Sequence, residues 1–156
     1  MLVEGDLAPV FLLTDHTGST VSSADYAGRR LLVYFYPKAF TPGCTTQACD
    51  LRDRDQAFRD AGWQIVGISP DPPERLARFR EKHRLNFPLL SDPDHRVAEA
   101  YGAWGTKQSY GRPSRGLIRS TFAIGPDGRL VGVWRNVRAA GHTERIAAHL
   151  GIPAAS

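Results

Sequence analysis

The sequence lacks most of what would make it a membrane, fibrous or disulfide-stapled protein. Its 156 residues hold two cysteines, too few for a disulfide framework, and a chain of this length buries a core large enough to fold without one. The longest apolar run, Leu31 to Tyr36, is strand-sized and far short of the roughly 20 residues of a membrane span. The opening Met1-Leu-Val-Glu-Gly-Asp6 has neither the basic nor the apolar region of a signal peptide, so a cytoplasmic location is expected and no membrane partner is. In that reducing compartment a close cysteine pair is more often catalytic or metal-binding than structural. No repeat, linker or low-complexity stretch divides the chain, and a single domain over 1–156 is expected.

Neither sign of charge dominates. Twenty Lys and Arg stand against sixteen Asp and Glu, a net charge of +4. The arginines alternate with acids, as in Asp50-Leu-Arg-Asp-Arg-Asp55 and Glu74-Arg-Leu-Ala-Arg-Phe-Arg-Glu81. That interleaving marks solvated helix faces and argues against nucleic-acid binding. His16, His83, His95, His142 and His149 fall at no metal-ligand spacing with one another or with the cysteines. Neither a metal nor a cofactor is expected. Trp63, Trp104 and Trp134 read as packing residues.

What is present is an alternation of strand and helix patterns. Val10 to Leu13 and Ser19 to Val21 flank the turn Asp15-His-Thr-Gly18 as a hairpin. Leu31 to Tyr36 is a run of β-formers, as in a buried central strand. A helix is expected from about Cys44 to about Asp60, with Cys49, Ala57 and Phe58 inside, Leu51 partly exposed and Gly62 ending it. Trp63 to Ser69 is a second buried strand, and Asp71-Pro-Pro-Glu74 opens a helix with an acidic cap. A short strand at Phe87 to Leu90 and a helix carrying Val97, Ala98 and Tyr101 follow. Thr106 to Arg115, with three basic residues, reads as a flexible loop. Arg119 to Ile124 and Leu130 to Trp134 flank Gly125-Pro-Asp-Gly128 as a hairpin, and Thr143 to Leu150 is a last helix. This order argues for a layered α/β sheet. A thioredoxin-like fold fits it: a central mixed sheet flanked by helices, with an extra N-terminal β-hairpin.

Both cysteines lie in the segment Tyr36-Pro-Lys-Ala-Phe-Thr-Pro-Gly-Cys-Thr-Thr-Gln-Ala-Cys49, between the apolar run and the helix. A thiolate placed there feels the positive end of the helix dipole and the free N–H groups of the first turn. The stretch Pro37-Lys-Ala-Phe-Thr41-Pro-Gly-Cys44 resembles the Pro-x-x-x-Thr-x-x-Cys signature of the peroxiredoxins. Pro37 to Asp53, with its second cysteine five residues after the first, resembles the peroxiredoxin Q subfamily, also called bacterioferritin comigratory protein. Gly5 to Phe11, Tyr101 to Gly105, Arg119 to Phe122 and Gly141-His142 extend the likeness over nearly the whole chain. Gln47 departs from it, where an acidic or apolar residue is usual, and is expected to face solvent or to modulate the unfolding of the helix.

The resemblance implies a thiol peroxidase acting on hydrogen peroxide and organic hydroperoxides. Cys44 would be the peroxidatic nucleophile and Cys49 the resolving cysteine. Thr41 would hydrogen-bond the thiolate and the incoming peroxide, Pro37 would shield the pocket, and Arg119 would bring its guanidinium to Cys44. Thioredoxin or a similar dithiol reductant would recycle the enzyme. A monomer would be competent, and a dimer would be symmetric. Simple physics is compatible with these roles. A free thiol is about 3% ionised at neutral pH, so complete ionisation gains only about 30-fold. Enzymatic acceleration is far larger, and the remainder must come from donors that stabilise the breaking O–O bond. Gly43 and Cys44 offer such N–H groups; Pro42 does not.

A helix over 44 to 49 would set the two Cα atoms about 8.7 Å apart and about 140° around the axis. A disulfide needs less than about 7 Å, so the first helical turns must unwind before the pair closes. Other readings stay open. Cys49 is a packed helix residue in a one-cysteine peroxidase or redox sensor, or the chain is a general thiol–disulfide oxidoreductase. The last usually uses Cys-x-x-Cys, which the four-residue spacer does not match. Thr41 alone reads as a helix cap, Arg119 as a surface strand residue, Pro37 as a strand terminator, and His142 as a cap or a neighbour of the pocket.

Overall fold

The computed structural model describes residues 1–109 and 111–153. In chain order these form β1 (Leu12–Asp15), β2 (Thr20–Ser22), a 3-10 turn (Ser23–Tyr26), β3 (Arg30–Phe35) and α1 (Pro42–Asp60). Next come β4 (Trp63–Ser69), α2 (Pro73–Lys82), β5 (Leu89–Ser91), α3 (Arg96–Ala100), β6 (Trp104–Ser109) and β7 (Arg112–Leu117). The chain ends in β8 (Ser120–Ile124), β9 (Leu130–Trp134) and α4 (His142–His149).

Seven strands make one mixed sheet in the order β2-β1-β5-β4-β3-β8-β9. At its centre β3 runs parallel to β4, Leu32 opposite Ile65, and antiparallel to β8, Leu32 opposite Ala123. Successive side chains of a strand point to opposite faces, so the unbroken apolar run of β3 feeds two cores. Leu32 and Tyr34, with Tyr36 beyond the strand, join Cys44, Leu51, Phe58, Leu76, Phe79 and Ile146 on one face. Leu31, Val33 and Phe35 join Ala98, Tyr101 and Phe122 on the other. Covering both faces is what requires a run without polar alternation. The N-terminal hairpin extends this sheet, because β1 pairs antiparallel with β5, Thr14 opposite Ser91. The arrangement is the thioredoxin-like one. No described helix is long and apolar enough to cross a membrane.

Three local expectations are corrected. The segment expected as a flexible loop is the ribbon β6–β7, with Trp104 opposite Leu117 and Thr106 opposite Arg115. Tyr110, within the expected loop, lies outside the described residues, and Gly111 takes φ +76. Arg112 to Arg115 are exposed, so no buried face imposes the alternation that would have marked a strand. Leu51 is fully buried, while Cys49 is only half-buried. The inward stripe of α1 is Cys44, Gln47, Ala48, Leu51, Asp55 and Phe58, at helical spacing, and two polar members disguise it. Finally, Asp71 does not cap α2. The cap position is Pro72, without a side-chain bond, and the Asp71 carboxylate is used elsewhere.

Candidate active site

The carboxyl end of β3 passes through residues 36–41 into α1, and α2 clamps this passage. Asp71 accepts the Ala39 N–H at 2.7 Å and the Ser69 hydroxyl at 2.8 Å. Arg75 pairs with Asp71 at 3.2 Å, donates to the Ala39 carbonyl at 2.9 Å and lies 5.0 Å over the Phe40 ring. Both backbone polar groups of Ala39 are thus held by one ion pair. Phe40 follows at φ +69, a left-handed conformation uncommon for a bulky residue, and it swings the chain into the helix. Pro37 is half-buried directly after the buried Tyr36.

Thr41 occupies the N-cap position, yet its side chain makes no cap bond. Its hydroxyl donates instead to the Lys38 carbonyl at 2.7 Å, which overturns the simple capping reading. Pro42 opens α1, where its missing N–H costs nothing. The Thr45 N–H returns to the Thr41 carbonyl at 2.9 Å. The N–H groups of Gly43 and Cys44, in the same first turn, have no intrahelical acceptor and are available as donors.

Cys44 is a free, buried thiol. Arg119, just before β8, donates from Nη2 to its Sγ at 3.3 Å and from Nη1 to Gln47 Oε1. Gln47 is completely buried, contrary to the expected solvent-facing position. It lies three residues after Cys44 and therefore on the same helix face. That spacing was the available signal. A neutral amide holds the guanidinium in place without cancelling its charge. Gly43 makes the approach possible: a Cβ there would lie 3.1 Å from Arg119 Nη2.

The Tyr34 and Tyr36 hydroxyls and Gln47 Nε2 are buried without partners among the described residues, in or beside the cluster that holds Cys44. Burial pushes both phenols well above the ordinary tyrosine range, so they remain protonated donors. His142, at the start of α4, bonds Thr121 Oγ1 through Nε2 at 2.9 Å and makes no side-chain cap. Burial, then Arg145 and Arg119, lowers its pKa to about 4. It stays neutral behind Arg119.

Cys49 is a free, half-buried thiol on the same helix. Its Sγ lies 4.0 Å from Nδ1 of His83, the residue that ends α2. Arg119 and Cys44 are in contact, Thr41 and Pro37 flank the same passage, and Cys49 stands five residues along α1. With the helix intact, the two sulfurs are separate thiols. This arrangement suits nucleophilic attack by one thiolate beside a fixed cation and free N–H groups.

The chain matches the AhpC/TSA family model over residues 4–133. It is 54% identical over 151 residues to a putative peroxiredoxin of Mycobacterium tuberculosis, covering 97% of this chain and 96% of that one. It is 49% identical over 141 residues to peroxiredoxin Bcp of Escherichia coli, covering 90% of each. Among solved structures, the bacterioferritin comigratory protein of Xanthomonas campestris superposes with a TM-score of 0.85 at 36% identity, covering 90% of each chain. A PrxQ mutant of Xylella fastidiosa superposes with a TM-score of 0.90 at 30% identity, covering 97% of this chain and 96% of that one.

Proposed function

The chain belongs to the AhpC/TSA family, and from that premise we propose a two-cysteine catalytic cycle for it. As its relatives are peroxiredoxins, the enzyme is a thiol peroxidase. Cys44, as the thiolate, attacks one oxygen of a hydroperoxide. The O–O bond breaks, the other oxygen leaves with its electron pair and takes a proton, and Cys44 becomes a sulfenic acid. Arg119 Nη2 and the N–H groups of Gly43 and Cys44 stabilise the developing oxyanion. The Thr41 hydroxyl turns from Lys38 toward the bound peroxide, and Pro37 shields the pocket. The observation that carries this reading is the 3.3 Å contact of Arg119 Nη2 with the Cys44 sulfur.

The first turns of α1 then unwind and Cys49 attacks the sulfenic sulfur, giving an intrachain disulfide and water. A thioredoxin-type dithiol reduces that disulfide. Organic hydroperoxides join hydrogen peroxide as substrates; the alkyl peroxide reduction activity of the Xanthomonas campestris relative supports that breadth. The same reading treats 1–156 as one domain that works as a monomer in the cytoplasm.

Intact mass after one equivalent of hydrogen peroxide tests the cycle. Wild type is expected to lose two hydrogens, and Cys49→Ser to gain one oxygen as a trappable sulfenic acid. A wild type that stops at sulfenic acid would leave a one-cysteine enzyme or sensor. No reaction would end the peroxidase reading.

A further inference from the structure

The Cys49 thiol does not face water alone. It meets His83 Nδ1 at 4.0 Å, and several contacts fix that imidazole. The Phe79 ring packs edge-on against it with centroids 5.3 Å apart, and Phe40 of the active-site passage lies 6.5 Å away. The backbone N–H of His83 donates to the Phe79 carbonyl at 3.2 Å. From α1, Arg52 donates to the His83 carbonyl at 2.7 Å and ties the end of α2 to the turn that follows Cys49. The other charged or titratable groups around the pair are Asp53, which holds Arg52 at 2.9 Å, and Tyr34 of β3, whose buried phenol feels both cysteines. None of these is a carboxylate facing the thiol, so His83 is the base at hand.

We propose that His83 is the general base of the resolving step. This rests on the reading of Cys49 as the resolving cysteine. His83 Nδ1 takes the proton of the Cys49 S–H while α1 is still folded. The Cys49 thiolate, released as the helix unwinds, forms a bond to the Cys44 sulfur. The S–O bond of the sulfenic acid breaks, and hydroxide leaves and is protonated to water. The Cys44 sulfur is reduced, the Cys49 sulfur is oxidised, and the imidazolium returns its proton to solvent. The folded enzyme thereby arms its second thiol before the chain moves, and a shorter sulfenic acid lifetime leaves less time for oxidation to sulfinic acid.

The test uses His83→Asn, which places an amide where Nδ1 stood, and His83→Gln as a second variant. Rapid mixing with hydrogen peroxide followed by mass spectrometry reads sulfenic acid and disulfide separately. Disulfide formation at pH 7 is expected to slow by about tenfold in both variants, and by no more than about 30-fold, because a free thiol is already about 3% thiolate there. Sulfinic acid per turnover rises by the same factor, since the two fates compete. A second readout does not depend on resolution. In a Cys44→Ser background, the pH profile of Cys49 alkylation by iodoacetamide should lie at lower pH with His83 present than in His83→Asn. A merely structural histidine would not move that profile. Unchanged disulfide rates and unchanged alkylation profiles in both variants overturn the proposal. A wild type that forms no 44–49 disulfide removes the resolving role of Cys49 itself, and that failure is read directly from the wild-type mass.

Discussion

At the scale of single residues, the site depends on what Arg119 can reach. Gly43 sits inside α1, where alanine is the better helix former by roughly 0.5–1 kcal/mol. Its Cβ would nevertheless press on Arg119 Nη2 at 3.1 Å. Gly43→Ala is therefore expected to hold or raise the melting temperature while slowing Cys44 oxidation about tenfold or more. Stopped-flow mixing with peroxide beside a thermal scan separates the two effects; equal loss of both would defeat the argument. Gln47 is the second such residue. Gln47→Leu keeps the volume but frees the guanidinium, and a loss in peroxide rate with little change in fold is expected. The role of Gln47 was only faintly legible in the sequence: its three-residue spacing from Cys44 put both on one helix face, but a polar side chain there reads first as solvent-facing. Its burial follows from the inward stripe of α1, visible only when the polar members are counted as core.

At the scale of elements, two pieces shape the passage that carries Cys44. The Asp71–Arg75 pair holds both polar groups of Ala39. Asp71→Asn weakens a charge-assisted bond, worth about 1.5–3 kcal/mol, and should loosen the passage into α1. Faster amide exchange over residues 38–44, measured by mass spectrometry, is the expected result, with the rest of α1 unchanged. Protection that stays the same would mean that the clamp is redundant. The second piece is α1 itself. Its two cysteines cannot pair on an intact helix, so peroxide oxidation of wild type should lower the far-UV helical signal. Cys49→Ser, stopping at sulfenic acid, should keep it. The aromatic and acidic anchors of this region were readable as isolated residues. Asp71 looked like a cap because it precedes two prolines, and only the fold brought it to Ala39, 32 positions away in the chain.

At the scale of the whole molecule, the sheet joins two cores whose balance sets stability. Gly67 of β4 faces the Tyr34 ring, and a Cβ there would lie 2.8 Å from it. Gly67→Ala must displace a fully buried phenol in the central sheet. The expected cost is about 1–3 kcal/mol, read from denaturant unfolding. Acidification acts through His142. Its pKa is about 4 in the folded protein against about 6.5 in an unfolded chain, so the unfolded state binds the proton first. Stability is then full above about pH 6.5 and falls as pH drops toward 4. His142→Gln, which can still bond Thr121, should flatten the melting temperature across that window. A variant that tracks wild type would assign the acid sensitivity to other groups.

The local pattern alone determined the elements that bury an unbroken or periodic apolar face: β3, β4 and the β8–β9 hairpin. It also placed Cys44 at a helix N-terminus, because Thr-Pro-Gly before a helical run is a local signal. The tertiary structure decided everything that depends on residues distant in the chain. Arg119 reaches Cys44 across 75 positions, and His83 meets Cys49 across 34. The outer part of the β6–β7 ribbon, Arg112 to Arg115, is exposed and carries no alternation to reveal it in the sequence. Hydrophobic periodicity is written residue by residue along the chain, whereas hydrogen-bond partners are chosen only when the sheet is assembled and polar groups must find one another inside it.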